Sequence, residues 1–96
     1  MDLGQTIKEI RQEKQYTQEH LAMLCGMTQT YLSQIERNQK EPTISALKDI
    51  AAALEMPLPV LFFLSLDDQD VSPEKREAFQ TIGATFKSVI HEFFTL

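Results

Sequence analysis

Side chains that commonly carry covalent chemistry are few in this chain of 96 residues. The single cysteine, Cys25, and the two histidines, His20 and His91, have no neighbouring ligands at metal-binding spacing, and one thiol with two imidazoles falls short of a zinc site. Cys25 reads as a small buried thiol in a reducing compartment, with no partner for an internal disulfide. Serine, histidine and aspartate all occur, but in no nucleophilic arrangement. Neither catalysis nor a metal is expected, and no cofactor is implied. What the sequence offers instead is hydrogen-bonding chemistry. Residues 29–37 carry Gln29, Thr30, Ser33, Gln34 and Arg37, mostly amides and hydroxyls that donate and accept at once. Such a face is either a solvated helix surface or a surface for recognition.

Helices must position those side chains. Leu3, Ile7 and Ile10 recur at i, i+4 and i+7 among Lys8, Glu9, Arg11, Gln12 and Glu13, which predicts an amphipathic helix ending near Lys14-Gln15. Thr17 is placed to cap a second helix with Leu21, Leu24 and Cys25 on one side. Gly26 stops it, because glycine takes the left-handed conformation at a helix end without steric penalty. Thr28 caps a third helix over 29–37 with Leu32 and Ile35 facing inward. The polar stretch Asn38-Gln39-Lys40-Glu41-Pro42 is a loop. Thr43 caps a fourth helix carrying Ile44, Leu47, Ile50, Ala51 and Leu54 at helical spacing. Met56-Pro57 ends that helix, and a short fifth follows around 59–64.

Asp67-Asp68-Gln69-Asp70 reads as an acidic linker over 67–71. Ser72-Pro73-Glu74 combines a cap, a first-turn proline and an N-terminal acid, which predicts a last helix over 72–96. Along it Phe79, Ile82, Phe86, Val89, Phe93 and Leu96 repeat at 3-4-3-4-3 spacing, an a/d seam. No alternating β pattern and no Asn-Gly turn occurs, so the chain is expected to be all-α.

Two short helices joined at a glycine are common, and spacing decides what they can do. Ala22 falls where two helices approach closely, Gly26 at the bend, and Leu32 and Ile35 where the second helix packs on the first beside Leu21. That arrangement lays one helix across a DNA backbone and frees the next to enter the groove. Residues 1–65 resemble the five-helix DNA-binding domain shared by phage lambdoid repressors, Cro proteins and the xenobiotic-response-element (XRE) family of bacterial regulators. The resemblance is carried by Ile7-Lys8-Glu9-Ile10-Arg11, by Tyr16-Thr17-Gln18-Glu19-His20-Leu21-Ala22, and by the run from Gly26 through Met27, Thr28, Gln29, Thr30, Tyr31, Leu32, Ser33, Gln34, Ile35, Glu36 and Arg37 to Asn38. Pro42-Thr43-Ile44, Leu47 and Ile50-Ala51 complete it. Asn38 stands where many members have glycine, and asparagine tolerates the left-handed conformation.

The resemblance implies a DNA-binding domain over 1–66 with residues 29–37 as the recognition helix, and double-stranded DNA as partner. It assigns Gln29, Thr30, Ser33 and Gln34 to base contact. A glutamine amide can donate to adenine N7 while accepting from its N6 amino group, and threonine can meet a thymine methyl. Phosphate contacts position rather than specify: Gln18 and Thr43 stand at helix starts whose N–H groups can meet an anion, Arg37, Asn38 and Lys40 supply charge and donors beside them, and Thr28 and Tyr31 are expected there too, although Tyr31 could equally be a half-buried packing residue. Arg11 and Glu36 match positions that form a structural ion pair orienting the recognition helix.

Net charge of −5 argues against a nucleic-acid partner, because phosphate rewards a basic surface. Distribution softens this: residues 67–96 carry three Lys/Arg against six Asp/Glu, more than half of the excess acid. Reading half a site gives one domain too little contact for genomic specificity, so a homodimer is expected. Its candidate surface combines Phe62 and Phe63 with Phe79, Ile82, Phe86, Val89, Ile90 and Phe93; alternatively the last helix folds back to cover Phe62 and Phe63. The expected function is a sequence-specific, homodimeric regulator, a repressor, in the cytoplasm and off the membrane. Two other readings stay open: a protein-binding module such as an antitoxin or regulator subunit, whose protein partner is unknown, and a small enzyme.

Overall fold

The computed structural model describes residues 1–94; Leu96, the last seam position, lies outside them. Six helices follow in order: α1 (Leu3–Glu13), α2 (Gln18–Cys25), α3 (Gln29–Glu36), α4 (Ile44–Ala53), α5 (Leu58–Ser65) and α6 (Arg76–Phe94), with no strand among the described residues. None of them is long and apolar enough to cross a membrane.

Short polar side chains start the first four helices. Asp2, Thr17, Thr28 and Thr43 accept from the backbone N–H groups of Gln5, His20, Tyr31 and Ala46 at 3.0–3.1 Å, each satisfying one orphan donor of a helix start. The same four helices end alike. Gln15, Gly26, Asn38 and Glu55 all take the left-handed conformation. The next N–H then reaches back five residues: Tyr16 to Arg11 O, Met27 to Ala22 O, Gln39 to Gln34 O and Met56 to Ala51 O, at 2.8–3.1 Å. This is the Schellman closure, which satisfies carbonyls the helix leaves open.

The core is Ile7, Ile10, Leu21, Ala22, Cys25, Leu32, Ile35, Leu47, Ile50, Ala51, Leu54, Met56 and Leu61. α1 packs on α3 and α5, α2 on α3 and α4, and α4 on α5, so five short helices share one interior. Four local expectations change. Leu24 and Ile44 are exposed. Leu21, Ala22 and Cys25 centre the buried face of α2, and Ala46, Leu47, Ile50, Ala51 and Leu54 that of the α4 segment, leaving the other two on the flanks. α4 ends at the Glu55 turn, ahead of Met56-Pro57. Ser72 forms no side-chain cap; a 3-10 turn over Pro73–Lys75 precedes α6, a frequent way for a helix to begin.

The acidic stretch is folded. Asp68–Asp70 forms a 3-10 turn closed by a reciprocal capping box between Asp67 and Asp70, and the Met1 ammonium lies 3.2 and 2.9 Å from their carboxylates. α6 lies against α5 and this turn. Phe94 packs on the core, and the ring of Phe63 meets Phe86 edge-on at 6.3 Å. Folding back therefore happens in part: Phe62, Phe63, Phe79 and Ile90 are half-buried, while Ile82, Phe86, Val89 and Phe93 stay open to solvent.

Candidate nucleic-acid interface

The bend between α2 and α3 rests on Gly26, whose φ is +66° with open space where a Cβ would stand. Its role is conformational, since L-residues carry a cost of about 1–2 kcal/mol in that region. Two residues later Thr28 starts α3, with Leu32 and Ile35 buried beneath it. Gln29 and Thr30 are exposed on its outer side, Ser33 and Gln34 half-buried beside them, and Arg37 is exposed at the C-cap.

α3 is held at its far end by a bidentate ion pair. Arg11 Nε lies 2.8 Å from Glu36 Oε2 and Arg11 Nη2 3.0 Å from Oε1, with the side chains only 10% and 1% exposed. Arg11 Nη1 also donates to the Tyr16 carbonyl at 2.9 Å. One guanidinium thus ties α1, the α1–α2 turn and α3 together. The planar fork of arginine suits this role better than a lysine ammonium would.

The network reaches the outer face of α3. Gln18 Nε2 donates to Glu36 Oε1 at 3.0 Å, and Gln18 Oε1 accepts from Gln29 Nε2 at 3.5 Å. The structure therefore brings Gln18 and Gln29 together. Gln18 also has its backbone N–H, at the first position of α2, to offer an anion.

The remaining expected phosphate residues divide. Thr28 and Thr43 use their oxygens as cap acceptors but are exposed, so each hydroxyl hydrogen is free to donate outward. Arg37 and Lys40 are exposed, and Lys40 Nζ sits 5.9 Å above the ring of Tyr31, which is half-buried against the core. Asn38 is exposed, and its amide also bridges to the start of α1. Its Oδ1 accepts from Gly4 N at 3.2 Å and its Nδ2 donates to Asp2 Oδ1 at 2.8 Å. That bond, with the Gln5 N–H, holds the Asp2 carboxyl below its ordinary value.

Gly4 is the residue that reading by motif missed. A Cβ there would lie within 3.0 Å of the carbonyl oxygens of Ile35 and Glu36 and of Asn38 Oδ1. α1 thus touches the end of α3 backbone to backbone. The available signal was a glycine one turn before Ile7 on the buried stripe of an amphipathic helix, a mark of close approach. Cys25 behaves as expected: it is buried, and desolvation, then the charge of Asp49, pushes its thiol up to about 11.

The helix-turn-helix family pattern matches residues 7–61, from α1 into α5. Three relatives each match over more than half of the chain. The immunity repressor protein of Bacillus phage phi105 is 43% identical over 54 residues, 56% of this chain and 38% of that protein. The HTH-type transcriptional regulator SinR of Bacillus subtilis is 42% identical over 60 residues, 62% of this chain and 54% of its own length. The HTH-type transcriptional regulator SutR of Escherichia coli is 38% identical over 55 residues, 57% of this chain and 31% of its length. The matched segment spans between about a third and a half of these proteins.

Proposed function

Because this chain belongs to the helix-turn-helix family, we propose that it is a sequence-specific DNA-binding transcriptional regulator, a repressor, that lays α3 in the major groove and acts as a homodimer. The observation that carries this reading is the outer face of α3. Gln29 and Thr30 are exposed, with Ser33 and Gln34 half-buried beside them, on a helix whose inner face is buried and whose end is clamped by Arg11 and Glu36. A rigid helix with outward amides is what direct readout of base edges requires. Relatives named as regulators and as an immunity repressor support the same reading.

Phosphate contact falls in this scheme to Thr28, Thr43, Arg37, Lys40 and the N–H at Gln18, with Tyr31 supporting Lys40. Dimerisation places two copies of α3 on successive major grooves about 34 Å apart. It draws on the apolar side chains of α5 and α6. The test is selection of bound sequences from random duplexes, followed by Gln34→Ala on the winning site. The expected loss is about 1–3 kcal/mol confined to particular base pairs. Equal affinity for every duplex overturns the proposal.

A further inference from the structure

The homodimer just proposed needs a surface, and α6 presents one that faces away from its own domain. The inner flank of α6 is fixed. Arg76 Nε donates to Asp68 O at 2.9 Å and Lys87 Nζ to Leu66 O at 2.7 Å, Gly83 is buried, and Phe94 packs on the core. The outer flank is apolar and open: Ile82 is 55% exposed, Phe86 54%, Val89 46% and Phe93 75%. At the N-terminal half of α6 an open groove of about 540 Å³ runs between Phe63, Val71, Phe79, Ile82, Gly83 and Phe86. At the other end the aromatic ring of Phe93 stands out into solvent.

We propose that α6 pairs with α6 of a second copy in antiparallel orientation, about a two-fold axis between Lys87 and Ser88. A two-fold interface is isologous: if residue i meets residue j of the partner, j meets i as well. The exposed seam satisfies that condition through its own spacing. Ile82 and Phe93 lie equally far on either side of the axis, and so do Phe86 and Val89. Antiparallel pairing therefore sets Ile82 against Phe93 twice and Phe86 against Val89 twice, a larger side chain against a smaller one each time, as interdigitation requires. It also brings Phe93 of each copy to the groove beside Ile82 and Gly83 of the other. Parallel pairing in register would put phenylalanine on phenylalanine and leave each groove opposite a partner's Ile82.

The exposed area is of the order a dimer needs. With about 200 Å² for a whole aromatic residue, the exposed parts of the two phenylalanines and two aliphatic residues of the seam bring roughly 400 Å² per copy. Both copies together bring about 800 Å², to which the groove walls add, against the ~1,000 Å² of a specific interface. The seam lies outside the family match over 7–61, so this pairing is read from α6 itself. It rests on the homodimer reading and adds its orientation.

Cross-linking of the full chain tests it. Ile82→Cys and Phe93→Cys variants are oxidised separately and as an equal mixture. In the antiparallel pair the two copies of position 82 lie about 16 Å apart along the helix, eleven residues at ~1.5 Å each. That is beyond the ~7 Å between Cα atoms that a disulfide can span, whereas 82 and 93 of different copies are opposed. The expected result is a disulfide-linked mixed dimer in the mixture and almost none from either variant alone; Cys25 is buried and stays out of the reaction. Efficient cross-linking of each variant with itself overturns the orientation. Sedimentation separates the two levels of the idea. The parent is expected to be a dimer, and Phe86→Asp to raise its dissociation constant more than about tenfold while keeping its helical circular dichroism. A Phe86→Asp dimer of parental strength removes α6 as the interface and leaves homodimerisation standing. A parent that is monomeric at every concentration, free and on DNA, removes both.

Discussion

Replacing Glu36 with glutamine changes one atom and one charge, and its cost can be worked out from the contacts at that site. Three donors converge on the two carboxylate oxygens: Arg11 Nε at 2.8 Å, and Arg11 Nη2 and Gln18 Nε2 at 3.0 Å each. A glutamine amide has one oxygen. Whichever way it is turned, its NH₂ group faces at least one of those donors, and the guanidinium stays buried without its counter-charge. Removing one partner of a buried ion pair costs about 3–5 kcal/mol. Arg11 keeps its bond to the Tyr16 carbonyl at 2.9 Å, which places the expectation near the lower end, about 3 kcal/mol. For a domain of this size, whose total stability is of the order of 5–14 kcal/mol, that is a large fraction. The assay is urea unfolding followed by circular dichroism at one fixed protein concentration, with the midpoint falling and the slope m unchanged. Arg11→Met and the double variant complete a cycle, in which the double is expected to cost clearly less than the sum of the singles. A loss below about 1 kcal/mol, with a coupling below ~0.5 kcal/mol, would refute the view that this pair holds α3.

The same substitution at two glycines is expected to have opposite signs. Gly4→Ala forces a Cβ onto the Ile35 and Glu36 carbonyls and should cost about 1–3 kcal/mol by overpacking. Gly83→Ala has the Phe79 ring as its nearest neighbour at 3.6–3.7 Å, ordinary contact, and should stabilise by about 0.5–1 kcal/mol through helix propensity; thermal melts of both decide it. Asp2 gives a pH signature. Its folded pKa lies below the ordinary 3.8, so its charge contributes stability that is present above that value and lost as pH falls through the folded one. The stability gap between the parent and Asp2→Asn, which keeps a capping oxygen, should therefore be open at neutral pH and close in acid; a gap independent of pH removes the contribution.

The elements legible in the sequence were those set by local chemistry. Thr17, Thr28 and Thr43 announce helix starts because only a short side-chain oxygen reaches the N–H two or three residues on, and Gly26 announces a helix stop. Gln15 and Glu55 end helices in the same left-handed turn, yet neither residue type signals it. There the backbone is driven by packing on both sides of the turn, which sequence spacing does not encode. The Arg11–Glu36 pair spans 25 positions and was legible through family resemblance alone. Asn38 makes a contact that its place in the motif did not announce. Its side chain faces α1, because the absence of a Cβ at Gly4 lets α1 come close enough to take the amide. On α6 the seam was visible from its spacing, but which side of the helix the domain would cover was not. That was decided by Lys87, Arg76 and Gly83, which periodicity treats as filler.

Glu19 and Glu41 are exposed beside Gln18 and Lys40, but four other carboxylates are engaged away from the outer face of α3. Glu36, on α3 itself, is sealed beneath Arg11 and projects no charge toward the outer face of the helix. Asp67 and Asp70 hold the Met1 ammonium, and Glu13 lies 3.5 Å from His91 of α6, all near the α6 side of the molecule. Arg37 and Lys40 stand exposed at the end of α3. Cations beside the proposed contact are nevertheless few, so counterion release can supply only a small part of the affinity. In the proposed scheme binding would then lean on base contacts from the amides of α3 and on the joining of two half-sites. A regulator of that kind would depend on its dimer more than a basic one, which is the place the proposal gives the open seam of α6.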